Sequence, residues 1–515
     1  MPSTIKELDP YSATPDGDIP AKVLVRCKET LALPIYHLWK ESFETGIIPP
    51  KMKMQYITPI FKKGDRTKAA NYRPVSITSH LIKIFERVLR KHIVEHMEKN
   101  SFLSPNQHGF RKKRSCLTQL LDHVDNILKT LNNGEEVDVI YLDYAKAFDK
   151  VDHRILLAKA KRYGIDGKML QWLTEFLSQR LQTVVVEGAK SSFSLVVSGV
   201  PQGTVLGPIL FILYIDDQLD MLVTALGKIF ADDTKLIGRI IDLAAKNLLQ
   251  EDLFNVIKWA SKNNMQLNES KFEVLNYKLN QSRSLREMPF SCQNYNYKIT
   301  NGETIEATHA VRDLGVLLSC DCSWTPHIQR MLEGAKTMAA WVLSVFSNRS
   351  SLLMLTLFKT MVRSKLEYCC PVWNPHKIGD IKAIESIQRN FTRRINGSQH
   401  LNYWERLQKL NLMSLQRRRE RYIIIHTWKI ANEEAPNDIN MIFKDSPRLG
   451  KRAIVPPINK AAQQSAATHY EHSFGVCAAK LWNLLPANVN TQPALEPFKV
   501  ALGAFFKKIP GYPAR

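Results

Sequence analysis

Ile229-Phe230-Ala231-Asp232-Asp233-Thr234-Lys235-Leu236-Ile237 sets two short apolar runs on either side of a pair of carboxylates. Such runs, broken by a polar dipeptide, predict a β-hairpin with the acids at its turn. Adjacent carboxylates repel and an apolar hairpin offers them no packing partner, so a cation is the readiest way to hold them. Magnesium is the natural choice. For an Asp-Asp pair taken alone, a solvated polar turn is the competing reading, and the rest of the chain has to decide.

A further carboxylate ends Val137-Asp138-Val139-Ile140-Tyr141-Leu142-Asp143, a β-rich run that follows the turn signal Asn132-Asn133-Gly134. The pattern predicts a buried strand closed by Asp143. If that strand neighbours the hairpin, Asp143 and Asp232 face one pocket and can hold two magnesium ions roughly 3.5–4 Å apart, the spacing used for in-line phosphoryl transfer. Between the two acids lies Ser198-Gly199-Val200-Pro201-Gln202-Gly203-Thr204-Val205-Leu206-Gly207-Pro208, a Gly/Pro-rich loop feeding an apolar helix. Its glycines, Gly203 among them, let backbone approach a flat ligand, and Gln202 offers both a donor and an acceptor.

Leu142-Asp143-Tyr144-Ala145-Lys146-Ala147-Phe148-Asp149, the Gln202 loop and Phe230-Ala231-Asp232-Asp233 occur in the order of motifs A, B and C of reverse transcriptases. The chain resembles the enzymes of non-LTR (LINE-type) retrotransposons, jockey-like elements included. The resemblance covers nearly the whole chain. It implies an α+β fold: a right-hand polymerase with fingers (1–135), a palm with an antiparallel sheet and the catalytic carboxylates (136–320) and a thumb-like helical region (321–410), followed by a mostly helical C-terminal region of unread role (411–515).

Composition agrees with a polyanion partner. Seventy-one Lys and Arg against 49 Asp and Glu give a net charge of +22 in 515 residues. Charge alone does not separate nucleic acid from an anionic membrane, but several basic clusters and the lack of a lipid signature favour nucleic acid. None of the eight cysteines forms a CxxC pair, so free thiols are expected and a zinc knuckle is not. No stretch has the length of a membrane span, and the first residues lack the apolar core of a signal peptide, which points to cytoplasm or nucleus.

Taken in order, Ala21 to about Glu44 reads as helix ending at Thr45-Gly46. Tyr56–Asp65 and Asn71–Ile77 resemble the family's fingers strands, which places Lys62, Lys63 and Arg73 to neutralise a triphosphate; a solvated basic hairpin is the alternative. In Gly109-Phe110-Arg111-Lys112-Lys113-Arg114-Ser115, which resembles a family motif, Arg111, Lys112, Lys113 and Arg114 are candidates for template phosphates. Phe148, five residues after Asp143, stands where the family places the ring beneath the incoming sugar, and a ring there excludes a 2′-hydroxyl. A core phenylalanine is the other reading. Asp152 is expected to cap the helix that follows it.

Tyr214-Ile215-Asp216-Asp217 looks like the retroviral Tyr-x-Asp-Asp box, but it follows the Gln202 loop with no room for an intervening helix, so it reads as a polar helix end. Leu267-Asn268-Glu269-Ser270-Lys271 resembles motif D and makes Lys271 a candidate general acid, with an exposed surface lysine as the alternative. Leu314-Gly315 resembles the turn that grips the primer end. From Trp324 the chain reads as mostly helical; Leu355, Phe358, Val362 and Leu366 share one face, Ile381, Ile384, Phe391 and Ile395 another, and Arg417-Arg418-Arg419, basic enough to touch RNA, is expected to face solvent.

The resulting expectation is template-directed DNA synthesis on RNA, with Asp143 and Asp232 holding two Mg2+ ions and Asp233 assisting. The partners are an RNA template, a DNA primer or target DNA, and dNTPs; no membrane is expected and the oligomeric state is not readable. The polypeptide starts at the fingers and leaves no room for an endonuclease, so integration by this chain alone is not expected. The rival is a catalytically silent, truncated or host-adapted nucleic-acid-binding remnant, and a DNA-templated polymerase is a weaker one.

Overall fold

In the computed structural model, which describes residues 1–278, 295–459 and 464–508, strands β1 (Met54–Phe61), β2 (Tyr72–Ile77), β3 (Glu136–Leu142), β4 (Leu181–Val186), β5 (Ala189–Lys190), β6 (Ser194–Leu195), β7 (Leu226–Phe230), β8 (Asp233–Ile240) and β9 (Glu273–Tyr277) alternate with helices. Two short hairpins follow, β10 (Ala310–Asp313) with β11 (Val316–Ser319) and β12 (Phe443–Ser446) with β13 (Gly450–Ala453), among many helices. The result is a mixed α/β core followed by a largely helical C-terminal region. By contact the chain divides into two compact units, Met1–Phe110 with Tyr141–Lys235 and Gln250–Phe272, and Arg111–Ile140 with Leu236–Leu249 and Glu273–Arg515.

Two sheets carry the α/β part. One runs β2-β1-β4-β5 with β6 also on β4, and the other β7-β8-β3-β9. The first is not wholly antiparallel: β1 and β4 pair in parallel, Met54 opposite Leu181 and Ile57 opposite Val184. More than a hundred residues separate these strands, ample length for the crossover that a parallel pair needs.

The first unit packs around helix Gly207–Ile215, in which Ile209 to Ile215 are all buried. A helix apolar on every side belongs at the centre of a core. Trp39 stacks on Phe85 at 4.8 Å, and Trp172 meets Phe85 edge-on at 5.2 Å. Local signals behave as expected. Asp152 caps helix His153–Arg162 by accepting the amides of Arg154 and Ile155, and Glu187 and Gly188, both at positive φ, turn β4 into β5. The helix expected from Ala21 to Glu44 is two helices, Ala21–Arg26 and Lys28–Thr45, the second closed by Gly46 in the left-handed conformation.

In the second unit Trp428 stacks on Phe498 at 5.5 Å. Phe358, Val362 and Leu366 are buried as their spacing predicts, with a π-turn over Phe358–Val362; Ile384, Phe391 and Ile395 are buried as well. Arg417-Arg418-Arg419 does not simply face solvent. Arg418 makes a two-pronged ion pair with Glu367, Arg419 is 1% exposed and donates to Asn374 Oδ1, and Arg417 donates to the Phe506 carbonyl. Their positions on helix Leu415–Ala431 bring buried acceptors within reach, a fact no local charge pattern reveals. The described cysteines are all free, and among the described residues no helix is long and apolar enough to cross a membrane.

Candidate active site

The Asp232-Asp233 hairpin is held from outside its own strands. Ala231 adopts φ +58°, a conformation that costs a non-glycine residue some strain and persists only where neighbours fix it. The neighbours are Gln107 and Gly109. Gln107 Oε1 accepts the amides of Gly109 (2.8 Å) and Ala231 (3.2 Å), and the segment around it ladders onto β7 through Ile229 N to Asn106 O and His108 N to Ile229 O. A Cβ on Gly109 would lie 2.3 Å from Ala231 N, so only glycine permits this approach.

Asp232 is half-buried and Asp233 exposed. Burial raises the Asp232 carboxyl above its ordinary range and Asp143 raises it further; its own backbone amide, Lys62 and Arg73 pull it back. The two acids expected to share a pocket therefore repel one another in the fold. Beside them the Tyr144 hydroxyl is buried with no hydrogen-bond partner among the described residues, its proton held far more tightly than usual by burial and by the Asp232 charge.

Asp143 follows β3 directly. Its carbonyl accepts the Asn268 amide at 2.8 Å, Ala145 N donates to Gln266 O, and Tyr144 bridges antiparallel to Leu267. That short ladder carries Lys271 to the site, where Nζ lies 2.6 Å from Asp143 Oδ2. The pair is open to solvent, with the lysine side chain 50% and the aspartate 38% exposed. An ammonium so placed is a counter-ion that a divalent cation can displace. Two carboxylates within electrostatic reach across a half-open site, with hard oxygen donors and, among the described residues, no neutralising arginine buried on them, fit magnesium.

β1 and β2 contribute the cations. Arg73 stands opposite Ile60, Lys62 N bonds to Asn71 O, and Lys62, Lys63 and Arg73 are all exposed. Lys62 and Arg73 act electrostatically on Asp232. The Gln202 loop leans on β2: Ser76 N donates to Gln202 O at 2.7 Å, and Gly203, at φ +116°, has Ser76 O 2.4 Å from where a Cβ would stand. The Gln202 amide is engaged at 3.1 Å with Asp149 Oδ1. Phe148 stacks on Phe211 at 4.3 Å and meets Phe110 edge-on at 6.1 Å, so its ring is buttressed and half-buried. Glu86, fully buried, accepts the amides of Val205 (2.6 Å) and Leu206 (2.9 Å), fixing the loop where it enters helix Gly207–Ile215; burial raises this carboxyl while those amides and the Arg180 charge lower it.

Asp216 and Asp217 sit at the far end of that helix and are consumed locally. Asp216 Oδ2 accepts the Ser104 amide, and Asp217 Oδ1 accepts Lys159 Nζ (2.7 Å) and Trp259 Nε1 (3.0 Å).

The remaining candidates belong to the second unit. Lys113 Nζ donates to Glu433 O and Arg114 pairs with Asp438 at 3.2 Å, so both are tied to protein, while Lys112 is exposed. Leu314 (φ +45°) and Gly315 (φ +87°) make the tight turn between β10 and β11, and the Tyr368 hydroxyl donates to Leu314 O at 2.8 Å. Gln107, Tyr144 and Glu86 were not singled out from sequence. Only their burial and long-range partners mark them, and nothing local signals either.

A family model described as reverse transcriptase (RNA-dependent DNA polymerase) matches residues 60–317, half of the chain. A probable RNA-directed DNA polymerase from transposon X-element of Drosophila melanogaster is 29% identical over 68% of this chain and 38% of its own length. The RNA-directed DNA polymerase from mobile element jockey of the same organism is 27% identical over 76% of this chain and 43% of its own length, and that of Drosophila funebris is 26% identical. The chain thus spans about two fifths of the length of these relatives.

Proposed function

The chain belongs to the reverse transcriptase family, in its non-LTR retrotransposon branch related to jockey, and from that premise we propose that it extends a DNA primer on an RNA template by nucleotidyl transfer from dNTPs. The observation that carries the reading is the placement of Asp143, at the end of β3, and Asp232, on the β7–β8 hairpin, within electrostatic reach of one another, with Lys271 2.6 Å from Asp143 as a solvent-exposed counter-ion. Fingers, palm and thumb then correspond to residues 1–135, 136–320 and 321–410.

Asp143 and Asp232 would hold two magnesium ions, with Asp233 assisting from the hairpin; bound there, the ions would supply Lewis-acid activation of the primer 3′-oxygen and charge neutralisation at the leaving pyrophosphate. Lys62, Lys63 and Arg73 take the triphosphate charge, and Gln202 and Gly203 present backbone to the incoming base pair. Phe148, stiffened by Phe211, floors the sugar and excludes a 2′-hydroxyl. As the 3′-oxygen–phosphorus bond forms and the bond to pyrophosphate breaks, the 3′-hydroxyl gives its proton to solvent and Lys271, released from Asp143, supplies a proton to the leaving group. Arg111, Lys112, Lys113 and Arg114 lie along template phosphates, and the Leu314-Gly315 turn holds the primer end.

One observation favours the rival, a silent nucleic-acid-binding remnant: Lys271 occupies Asp143 at 2.6 Å. Primer extension on poly(rA)/oligo(dT) with magnesium separates the two. The polymerase reading requires extension by the wild type that disappears in Asp143→Asn and Asp232→Asn, whereas RNA binding without extension in all three supports the remnant.

A further inference from the structure

The turn that carries Phe148 and the loop that carries Gln202 are fastened together along their length. Gly199 N donates to Val151 O at 2.8 Å, Val200 N to Phe148 O at 2.8 Å, Ser198 Oγ to Asp149 O at 3.0 Å, and His153 Nε2 to the Gly199 carbonyl at 2.8 Å. Gly199, at φ +88°, comes so near that a Cβ there would stand 2.8 Å from Asp149 Cα. None of these links uses the side chain of residue 149. One further link does: Gln202 Nε2 donates to Asp149 Oδ1 at 3.1 Å. Both side chains are half-buried, and among the described residues the Gln202 amide makes no other hydrogen bond.

A glutamine amide carries donors at one end and an acceptor at the other, whereas an ionised carboxylate only accepts. Asp149 therefore selects between the two orientations of the amide: Nε2 turns to the carboxylate, and Oε1 is left for a donor from elsewhere. Burial raises the Asp149 carboxyl, while the Gln202 amide and the charges of Lys146 and Lys150 lower it. The two lysines thus favour the ionised form that imposes the choice. Since the backbone links hold the loop whatever stands at 149, the carboxylate is free to serve the side chain of Gln202 alone.

On the nucleotidyl-transfer reading, on which this rests, we propose that Asp149 is a positioning residue for the incoming nucleotide and acts through Gln202, locking its amide so that the loop offers the nucleotide an acceptor and not a donor. Asp149 itself touches no substrate. Without it the amide samples both orientations and several rotamers, and nucleotide binding has to order it. The loss falls on binding. A saturating nucleotide restores the ordered loop, so the chemical step is spared.

The test is a double-mutant cycle in primer extension on poly(rA)/oligo(dT) with magnesium, varying dTTP and counting rates per titrated active site. Asp149→Ala should raise the KM for dTTP roughly three- to tenfold with kcat within roughly twofold, and should add nothing to Gln202→Ala, because the residue it acts through is gone. Gln202→Glu sets two carboxylates against each other; adding Asp149→Asn should lower the KM again, since the asparagine amide can donate to the glutamate. This second pair decides the matter if Asp149→Ala fails to fold. An unchanged KM in Asp149→Ala, an equal effect with and without Gln202, or a Gln202→Glu defect that Asp149→Asn does not relieve overturns the proposal and leaves the polymerase reading standing. Absence of extension by the wild type removes both.

Discussion

Two Asp-Asp pairs stand sixteen positions apart in this chain, Asp216-Asp217 and Asp232-Asp233, and the fold treats them oppositely. The first is engaged by protein donors: Asp216 takes a backbone amide of the Ser104 loop, while Asp217 takes the Lys159 ammonium and the Trp259 indole. At the second, Asp232 receives only its own backbone amide among the described residues and faces the repelling charge of Asp143. A carboxylate whose lone pairs are filled by protein donors is part of the scaffold, and one kept close to another acid without such donors holds unspent capacity for a cation. The contrast is one of partners, and residue type does not convey it.

The largest effect should come from exchanging the two roles. Asp232→Asn or Asp143→Asn is expected to lower primer extension at least roughly a thousandfold, with melting temperature unchanged or raised because a repulsion is removed. Asp217→Asn should leave activity per folded molecule within roughly threefold and cost about 1–3 kcal/mol of stability in denaturant titration, since Lys159 is left buried without its partner. A lethal Asp217→Asn beside a tolerated Asp232→Asn would invert the comparison.

Phe148→Val is next in size. Removing the buttressed ring should raise ribonucleotide incorporation, relative to deoxynucleotide, by roughly a hundredfold in single-turnover assays; an unchanged ratio would return Phe148 to the core. Lys271→Met sharpens the contrast from the ion side. Without the ammonium on Asp143, Mn2+ binding followed by electron paramagnetic resonance should tighten roughly three- to fivefold, the value of a solvent-exposed pair, while turnover falls.

The smallest expected effect concerns the helical region. Burial pushes His426 down to about 4, well below the ordinary histidine value, so between roughly pH 6.5 and 4 the unfolded chain takes up a proton that the folded chain refuses. Stability contributed by neutral His426 is thus present above that window and lost as pH falls through it. His426→Gln should flatten the acid side of a melting-temperature profile, and an unaltered profile would place the titration elsewhere.

Much of this was legible along the chain because it is local. The hairpin at Asp232, the strand ending before Asp143 and the Asp152 cap depend on residues within a turn or two, and motif order supplied the likeness between distant segments. What escaped has partners far away in sequence. Lys271 was read as a proton donor, but its pairing with Asp143, 128 positions upstream, comes from the Leu267 bridge. Gln107 carries no local signal until Ala231 is seen beside it. The pairing of β1 with β4 was not read at all, and the arginines of helix Leu415–Ala431 were misjudged for the same reason, since periodicity reports which face is apolar but not what meets it.

Glu86 bears on how this sequence can be recombined with its relatives. The loop bearing Gln202 is anchored by a carboxylate more than a hundred residues upstream, with Arg180 nearby to offset its charge. A chimera that imports the loop alone would strand an acid in an apolar interior, or leave two amides bare, whichever parent supplied the rest. Position 86, with 180, has to travel with the graft as one cassette.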